Sequence, residues 1–589
     1  MSGEQILVSA VLGFMVILLY FGRFSPAVIF IGAASVFVLT GIISPAESLA
    51  GFSNTAVAVM LLLLIMSQIV WRTGFIQWLF QKVIKPSDKY RRFLFQLMPF
   101  VGISSAFMNN TPVVAMMIPF VDHWGRQHRI SASKLLMPLS WAAILGGMLT
   151  LIGTSTNMIV NSLVVENGGE SMSILDFTPV GLMIFLSGMA FVLFIGYRTF
   201  PERKDPYERL NESPREYITD LVIDQGSPLA GKTIEQASLR SLKHLFLTEI
   251  IREGKVIAPV APGEVLREGD RLILAGRTEA VAEIASNRQG LSIGGSVTVP
   301  QAEKLHVVEA VVSQGSSLSR KTVKESNFRG RFDAAILGVH RHGRKIKGKI
   351  GKITLQSGDL LLLLTGKDFR SSTSGNNDFY VVSSVRQIHN IELGKSIFII
   401  ASIFTCIVLS IAGIVPLFTS LLAVTAIFLA GGITTPAEVK TMINLNILAI
   451  AAFALAIGRA VQVTGLGALL AEETVSAFEP LGTVGVLAAV YIITNILAEF
   501  ITTIAAATIV FPFAAASAVL VGSDPVPFYL AVAYGAAANF LTPVGYQTNL
   551  MIFGPGGYKT TDFLKTGLPV KIICALTAIT GLGLVYRLF

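Results

Sequence analysis

Four short polar motifs interrupt the apolar stretches of the sequence, two in each half of the chain. They are Asn109–Pro112 and Gly153–Asn157 in the first half, and Thr502–Ile504 and Thr542–Asn549 in the second. A helix that restarts at a polar tip presents unpaired backbone N–H groups and a partial positive charge, which favours an anion. The glycine-containing motifs free backbone carbonyls, which together with Asn, Ser and Thr oxygens suit Na⁺, because hard cations prefer oxygen ligands. The motifs therefore predict neighbouring sites for an anion and for Na⁺.

The composition indicates that these motifs lie inside a membrane. Of the 589 residues, 52% are hydrophobic and only 14% are charged, and the mean hydropathy is +0.66. Soluble domains carry about 25% charged residues. Apolar runs such as Ile6–Tyr20, Val57–Val70 with its flanks and Phe398–Ile414 are long enough to cross a hydrocarbon layer of roughly 30 Å. The chain is therefore predicted to be a polytopic membrane protein in a lipid bilayer.

Several other classes of protein are excluded by the residue pattern. The net charge is +9, but the basic residues lie in short loops and in the middle of the chain, which is typical of membrane topology rather than nucleic-acid binding. Cys406 and Cys574 lie far apart in apolar runs, which excludes a disulfide framework. The apolar halves carry no phosphate-binding loop and no nucleophile–base pattern, so we predict neither an enzyme nor an organic cofactor. Met1–Gln5 lacks the basic residues of a secretory signal, which predicts a retained first span.

The two apolar halves resemble each other. Aligning Ser104–Pro119 with Leu497–Pro512 matches a phenylalanine, the polar tip and the final proline. Further upstream, Ile43–Glu47 matches Ile433–Glu438 in the same order. The halves are therefore predicted to be structural repeats.

The charges of the loops predict the orientation of the repeats. Gln81–Arg92 is basic, whereas Glu166–Asp176 and Glu472–Glu479 contain only acidic charges. Placing basic loops in the cytoplasm gives five crossings and one re-entrant hairpin in each half. Because five is odd, the second repeat is inverted relative to the first. The predicted fold is thus a polytopic all-α membrane protein of two inverted repeats, a pattern typical of secondary transporters with a site near the membrane midplane.

A polar insert separates the halves and is itself duplicated. Val222–Ile234 parallels Val312–Val323, and Gly269–Ala275 parallels Gly358–Leu364. Alternating strands with Gly-Asp turns predict compact α+β modules on the cytoplasmic side. The predicted domains are residues 1–205 (membrane repeat 1), 206–292 and 293–385 (two regulatory domains) and 386–589 (membrane repeat 2).

Two ionisable residues, Arg459 and Glu499, fall inside apolar runs of the second half. Charged groups are costly in a membrane and are usually paired or functional. One hypothesis is a mutual ion pair that braces the second hairpin; another is that Arg459 attracts the anion. The third is that Arg459 snorkels to the interface and Glu499 faces a wet vestibule, with no role for either in transport. Neither pair of motifs contains Asp or Glu, which disfavours a cation exchanger with a carboxylate at a helix break.

The motifs Asn109–Thr111, Gly153–Asn157, Thr502–Ile504 and Pro543–Asn549 resemble those of the divalent-anion:sodium symporter family, which includes sodium-coupled sulfate and dicarboxylate carriers. The insert resembles two copies of the C-terminal regulatory subdomain (TrkA-C or RCK-C) of potassium-conductance regulators. The resemblance implies alternating access in a homodimer. It also implies an anion site of Asn110, Thr111, Thr154, Thr503 and Tyr546, and Na⁺ ligands from Asn109, Asn110, Gly153, Thr502, Thr503 and Gly545.

The second hairpin motif departs from the family pattern. Thr502-Thr503-Ile504 stands where the family has Ser-Asn-Thr, and Asn109 replaces the first serine of the other motif. Ile504 cannot donate a hydrogen bond to an oxyanion, which disfavours dicarboxylate recognition and the second Na⁺ site.

The sequence therefore predicts an importer of a small divalent oxyanion, sulfate before dicarboxylates, in the plasma membrane. Na⁺ is the predicted coupling ion, with H⁺ as the alternative, and a small-molecule regulator is expected at the insert. The other hypotheses are an exchanger or efflux permease of related fold, a channel gated by the insert, and a sensor that binds without flux.

Overall fold

The structure, a computed structural model, describes most of the chain. The residues outside it are 22–23, 85–88, 204–217, 238, 240–244, 254, 258–259, 261–262, 277–289, 294–306, 314–315, 342–343, 347–349, 366–368, 370–377, 382–392, 444, 544 and 589. The predicted domain limits at 205/206 and 385/386 lie outside the described residues. The division into four domains stays a prediction.

The described residues before the insert form ten α-helices. They are α1 (Gly3–Phe21), α2 (Pro26–Leu39), α3 (Pro45–Leu49), α4 (Thr55–Thr73), α5 (Phe75–Val83), α6 (Tyr90–Phe107), α7 (Asn110–Gln127), α8 (Ala132–Gly147), α9 (Ser155–Glu166) and α10 (Thr178–Phe194).

In the described part of the insert, two five-stranded antiparallel sheets have the same strand order. The orders are β3-β2-β4-β1-β5 and, read from the opposite edge, β10-β6-β9-β7-β8. We call β1–β5 the first sheet module, and β6–β10 with α11 the second sheet module. The elements are β1 (Ile218–Ile223), β2 (Leu245–Arg252), β3 (Lys255–Ile257), β4 (Arg271–Gly276), β5 (Leu291–Ile293), β6 (Val307–Val312), α11 (Phe328–Phe332), β7 (Ala334–Arg341), β8 (Arg344–Lys345), β9 (Leu360–Thr365) and β10 (Phe379–Val381).

Ten α-helices likewise follow the insert in the described residues. They are α12 (Leu393–Ile411), α13 (Leu417–Ala430), α14 (Pro436–Met442), α15 (Leu445–Val463), α16 (Leu466–Phe478), α17 (Gly482–Phe500), α18 (Thr503–Leu520), α19 (Val526–Ala537), α20 (Gln547–Phe553) and α21 (Thr560–Val585).

Length and composition allow seven of the described helices to cross a membrane. These helices are α1, α4, α12, α15, α17, α18 and α21, and the shorter apolar helices are α2, α10, α13 and α19. Their outer faces expose large apolar side chains, as in the 60% exposed Leu576 and the 59% exposed Phe404. Such faces suit lipid rather than water. The chain is a multi-pass membrane protein.

The helices of the two halves interleave. Helix α15 packs against α2, α18 packs against α9, and α20 packs against both α7 and α8. Buried apolar residues from both halves form one continuous core. The short helices α3 and α14 begin with the same capping box, in which Glu47 and Glu438 bond back to Ser44 and Thr435 respectively. This local pairing of a hydroxyl and a carboxylate fixes where each short helix begins.

The sheet modules share one internal ion pair. Arg252 donates from Nε and Nη2 to the carboxylate of Asp270, at 2.8 and 2.9 Å. Arg341 makes the same two contacts to Asp359, at 2.7 and 2.8 Å. Both aspartates are buried, with exposures of 1%. A bidentate pair in the same place supports the duplication of the insert that the Gly-Asp motifs predicted.

Two ion pairs join the halves near the short helices. Arg459 Nε donates to Glu47 Oε1 at 2.9 Å, and Arg72 Nη1 donates to Glu438 Oε1 at 3.0 Å. The hypothesis of an Arg459–Glu499 pair is therefore wrong. Sequence reasoning sought a partner in the same half, whereas the interleaved helices bring Arg459 to a capping glutamate of the other half.

The Glu47–Arg459 contact predicts a small dependence of stability on pH. Hydrogen bonds from Ser44, then from Arg459, lower the pKa of Glu47 from its usual 4.5 to about 2. A depressed carboxyl pKa stabilises the fold fully above about pH 4.5, and this contribution is lost as the pH falls towards 2. We expect Glu47→Gln to cost about 1 kcal/mol or less, because the pair is partly exposed. The melting temperature should then fall less steeply with acid than in Glu170→Gln, a control in an exposed loop; equal slopes would contradict this.

Candidate functional site

Two helical hairpins direct helix N-termini into the protein. Helix α7 starts at Asn110, and the side chain of Asn109 caps it by accepting from the N–H of Thr111 at 3.2 Å. Helix α18 starts at Thr503, and the hydroxyl of Thr502 accepts from the N–H of Ala505 at 3.3 Å. Both predicted tips are therefore capped helix starts. The capping side chains leave other N–H groups of the first turn available to a ligand.

Two helix breaks lie beside the hairpins and use the same hydrogen bonds. Asn157 donates to the carbonyls ten and seven residues before it, at 3.3 and 2.9 Å. Asn549 also donates to the carbonyls ten and seven residues before it, at 2.9 and 3.4 Å. Each amide thus ties the start of one helix to the end of the previous one. These bonds hold the unwound backbone inside the protein, where it would otherwise be costly.

A buried hydrogen-bonded cluster connects the first hairpin to both breaks. The amide of Asn110 donates to the Tyr546 hydroxyl at 2.6 Å, and the Thr154 hydroxyl lies 3.1 Å from the same oxygen. Ser105 donates to the amide oxygen of Asn110. The exposures of Asn110, Thr154 and Tyr546 are 1%, 4% and 7%. Three of the five residues predicted to face an anion are therefore in direct contact.

The other two residues predicted to contact the anion, Thr111 and Thr503, form hydrogen bonds with residues next to this cluster. The sequence analysis did not name these partners. Thr111 donates to the side-chain oxygen of Gln547 at 3.1 Å. Thr156 donates to the hydroxyl of Thr503 at 2.9 Å. Gln547 and Thr156 both lie within the polar motifs, so their position was a signal that they belong to the site.

Glycines allow the backbone to approach the cluster closely. A Cβ added to Gly147 would lie 2.6 Å from the Asn110 amide nitrogen, and one added to Gly153 would lie 2.6 Å from the Gly147 carbonyl oxygen. At the second break, a Cβ on Gly545 would lie 3.0 Å from the Thr542 hydroxyl. The predicted cation-site glycines are thus positions of tight packing. The carbonyl of Gly545 accepts from the Asn539 amide at 3.4 Å.

Gly147→Ala should displace the Asn110 side chain. The new methyl group overlaps the amide, and overpacking of a buried site costs about 1–3 kcal/mol. We expect apparent affinity for the transported anion to fall by at least about tenfold. The control is Gly458→Ala, whose methyl group meets only the flexible end of Leu163 at 3.1 Å. Equal anion affinities in the two variants would contradict the assigned role of the close approach.

Each break also contains a buried amide oxygen that accepts no hydrogen bond from the described residues. These atoms are the Oδ1 atoms of Asn157 and Asn539, and both residues are 0% exposed. Leaving such an acceptor unsatisfied costs about 1–3 kcal/mol. A bound cation with oxygen ligands would remove this cost. The chemistry of both breaks thus fits a dehydrated hard cation.

The second break holds a carboxylate that the sequence analysis did not place there. Glu499 accepts from the N–H groups of Phe540, Leu541 and Thr542 at 3.2, 3.1 and 3.1 Å. Lys571 donates to the same carboxylate at 3.1 Å. The motifs contain neither Asp nor Glu, but the expectation that no carboxylate lies at a helix break is wrong for the second break. The contact crosses 41 residues of sequence, so the local pattern could not reveal it.

The first break has an alanine in the corresponding place. The Thr150 hydroxyl donates to the carbonyl of Ala106, and the Thr542 hydroxyl donates to the carbonyl of Glu499 at 3.1 Å. The residue whose carbonyl accepts this bond is thus Ala106, with a methyl side chain, at the first break and the ion-paired Glu499 at the second. The two breaks are alike in backbone and different in electrostatics.

The protein family that matches this chain is a family of transporters. A family model described as the citrate transporter matches residues 16–535. The chain belongs to the citrate transporter family. This family and the relatives named as transporters make the protein a transporter rather than an enzyme.

Several relatives span nearly the whole chain. An uncharacterized transporter from Synechocystis is 31% identical over 94% of this chain and 92% of its own length. A putative sulfur deprivation response regulator from Chlamydomonas reinhardtii is 32% identical over 93% of this chain and 96% of its own. Sodium/sulfate cotransporter 1 of the same alga is 23% identical over 93% of this chain and 85% of its own.

Proposed function

We propose that this protein imports sulfate, or a similar small divalent oxyanion, together with Na⁺ by alternating access. The observation that carries the proposal is the buried cluster of Asn110, Thr154 and Tyr546 between two helix starts and two helix breaks. The names of the algal relatives support the same substrate and coupling ion.

The donors of the cluster suit a fully ionised oxyanion. The amide N–H, the hydroxyl groups and the N–H groups of helix starts donate hydrogen bonds to negative charge, and none of these groups is a base that needs a proton from the anion. We assign anion contacts to Asn110, Thr111, Thr154, Thr503 and Tyr546. A small tetrahedral anion needs several convergent donors, and Asn110 and Tyr546 come from opposite halves.

The oxygens of the breaks suit Na⁺ as the co-substrate. We assign the cation sites to Asn109, Asn110 and Gly153 on one side and to Thr502, Thr503 and Gly545 on the other. The unpartnered amide oxygens of Asn157 and Asn539 support these positions. Import of a divalent anion against 100 mV costs about 4.6 kcal/mol, because each charge costs about 2.3 kcal/mol. Co-transported cations offset this cost.

We infer that the halves are inverted repeats, each with five spans and a re-entrant hairpin. The matching order of ten helices in each half and the matching amide bonds of Asn157 and Asn549 support this arrangement. The basic loops support a cytoplasmic insert, and we propose the plasma membrane as the location of the protein. We propose a homodimer, and a small-molecule regulator that binds the TrkA-C-like modules.

Proton coupling or exchange is the second candidate mechanism. Glu499 is 5% exposed and its carboxylate bonds the backbone of the second break. A carboxylate at that place is what an exchanger requires. A pH gradient that drives anion flux without Na⁺ would favour this mechanism over Na⁺ symport.

Equilibrium binding tests the substrate. Purified protein should retain radiolabelled sulfate in NaCl and lose it when choline replaces Na⁺. Citrate and succinate should compete weakly, because the second hairpin has Ile504 in place of a hydrogen-bond donor. Tight Na⁺-dependent citrate or succinate binding, with no sulfate binding, would move the assignment to carboxylates.

A further inference from the structure

The two sheet modules differ in one face, although their strands correspond. In the second sheet module, Val311 and Leu360 are paired across strands, and Tyr380 pairs with Val311 on the other side. The corresponding positions in the first sheet module are Val222, Arg271 and Ser292. We call the face formed by Val311, Leu360 and Tyr380 the docking face. The second module is apolar where the first is mixed and polar.

The docking face is buried against the membrane helices. Val311 and Leu360 are 1% and 0% exposed, and both belong to the apolar core that the transmembrane helices share. Their neighbours Ala310, Val312 and Leu361 instead fill the module's own core. Because side chains alternate along a strand, one face closes the module and the other packs on the membrane part.

The module meets the helix that follows the second break. A Cβ on Gly554 would lie 3.0 Å from the Leu360 Cβ, and a Cβ on Gly358 would lie 2.5 Å from Leu550 Cδ1. Helix α20 and the turn after it therefore form the seat of the docking face. The turn at the corresponding Gly269 of the first module has nothing within 4 Å.

A chain of hydrogen bonds runs from the docking face into the site. Gln547 donates from its amide to the Tyr380 hydroxyl at 3.2 Å, and its oxygen accepts from Thr111 at 3.1 Å. Gln547 follows Tyr546 directly in the sequence. Two consecutive hydrogen bonds thus link Tyr380 to Thr111 in the first turn of α7.

We propose that the second sheet module is a lock on the transport site, which must leave its seat on α20 before the anion can exchange with the cytoplasm. The inference rests on the proposed function. When the docking face packs on α20 (the seated state), Tyr380 holds the side chain of Gln547, and through it that of Thr111, by hydrogen bonds. The module also covers α20. Because α20 begins at the second break, a helix held against the module cannot move with the hairpins. A ligand of the insert that favours the unseated state would activate transport.

A reversible cross-link tests the lock through transport. Leu360→Cys with Gly554→Cys places two Cβ atoms about 3.0 Å apart, so an outward shift of about 0.5–0.8 Å reaches disulfide geometry. We expect oxidation to reduce sulfate uptake by at least about tenfold, because a seated state can no longer exchange with an unseated one. Reduction with dithiothreitol should restore uptake. Unchanged uptake by fully cross-linked protein would overturn the proposal, and the single-cysteine variants control for oxidation of the buried Cys406 and Cys574.

A labelling experiment tests the lock without relying on sulfate transport. In a Thr111→Cys background, Gly358→Ala should unseat the module by its clash with Leu550 and speed labelling by a water-soluble maleimide at least about tenfold. Gly269→Ala is the matched control, because both glycines have positive φ, of 85° and 78°, and so share the local strain. Equal labelling rates in the two variants would overturn the lock. Faster labelling in Gly358→Ala, together with no sulfate transport by protein that retains Thr111, would sustain the lock and reject the proposed function.

Discussion

Asn110→Ala is expected to abolish Na⁺-driven sulfate uptake. The substitution removes the amide N–H that donates to the Tyr546 hydroxyl and the amide oxygen that accepts from the Ser105 hydroxyl. Asn110, Tyr546 and Ser105 are all buried. Tyr546 keeps its contact with Thr154, whereas Ser105 loses its acceptor at a cost of about 1–3 kcal/mol. Because the anion also loses the amide assigned to it, anion affinity should fall by at least about 100-fold. The same amide is assigned to both the anion and Na⁺. We therefore expect the affinities for both ligands to fall together.

Asn161→Ala is the matched control for this variant. Asn161 is also a buried asparagine, 5% exposed, but it bonds the backbone of Met172 at 2.7 Å, away from the cluster. It should lower the melting temperature while leaving sulfate affinity within about twofold of the wild type, because its partners are structural. Sulfate affinity that survives Asn110→Ala at the wild-type level would remove Asn110 from the site. The measurement is sulfate binding as a function of both sulfate and Na⁺ concentration.

Lys571→Met is expected to give the largest loss of stability among charge substitutions in the membrane part. It leaves the Glu499 carboxylate, 5% exposed, without its ammonium partner. Breaking a buried ion pair by removing one partner costs about 3–5 kcal/mol, whereas replacing both partners costs far less. The double variant Glu499→Gln with Lys571→Met should therefore recover most of the stability. Melting temperatures of the purified variants in detergent measure this difference.

The same variants show whether the Glu499–Lys571 ion pair only stabilises the fold or also takes part in transport. If Glu499 and Lys571 only hold the second break, the double variant should transport sulfate with unchanged Na⁺ dependence. If Lys571 supplies a fixed positive charge for the anion, uptake by the double variant should fall even though stability recovers. Lys565→Met, an exposed lysine of the same helix, is the control. A melting temperature of Lys571→Met equal to that of the control would contradict the pairing.

The sequence predicted the features that local patterns specify. Proline, glycine and paired polar residues located the hairpin tip at Asn109 and the break at Gly153, because such residues end or start helices wherever they occur. The duplicated Gly-Asp turns located the sheets of the insert. The apolar runs identified the membrane-spanning helices. Each of these features depends on residues within a few positions of one another.

The contacts between distant parts of the chain could not be predicted in the same way. Arg459 meets Glu47 across 412 residues, and Gln547 meets Tyr380 across 167. These distances depend on how the halves interleave and where the second sheet module sits, which no local spacing encodes. The carboxylate at the second break was missed for the same reason. The apolar face of Val311, Leu360 and Tyr380 is a pattern that a comparison of the two sheet modules would have found in the sequence.

Uptake of radiolabelled sulfate into proteoliposomes is the most direct test of Na⁺-coupled anion import. We expect an inward Na⁺ gradient to drive sulfate above its equilibrium concentration. Equal Na⁺ on both sides should not do so, and Asn110→Ala should remove the accumulation. Accumulation under a proton gradient alone would replace Na⁺ by H⁺ as the coupling ion. No sulfate flux under any gradient, from protein that binds and accumulates citrate or succinate, would contradict Na⁺-coupled sulfate import.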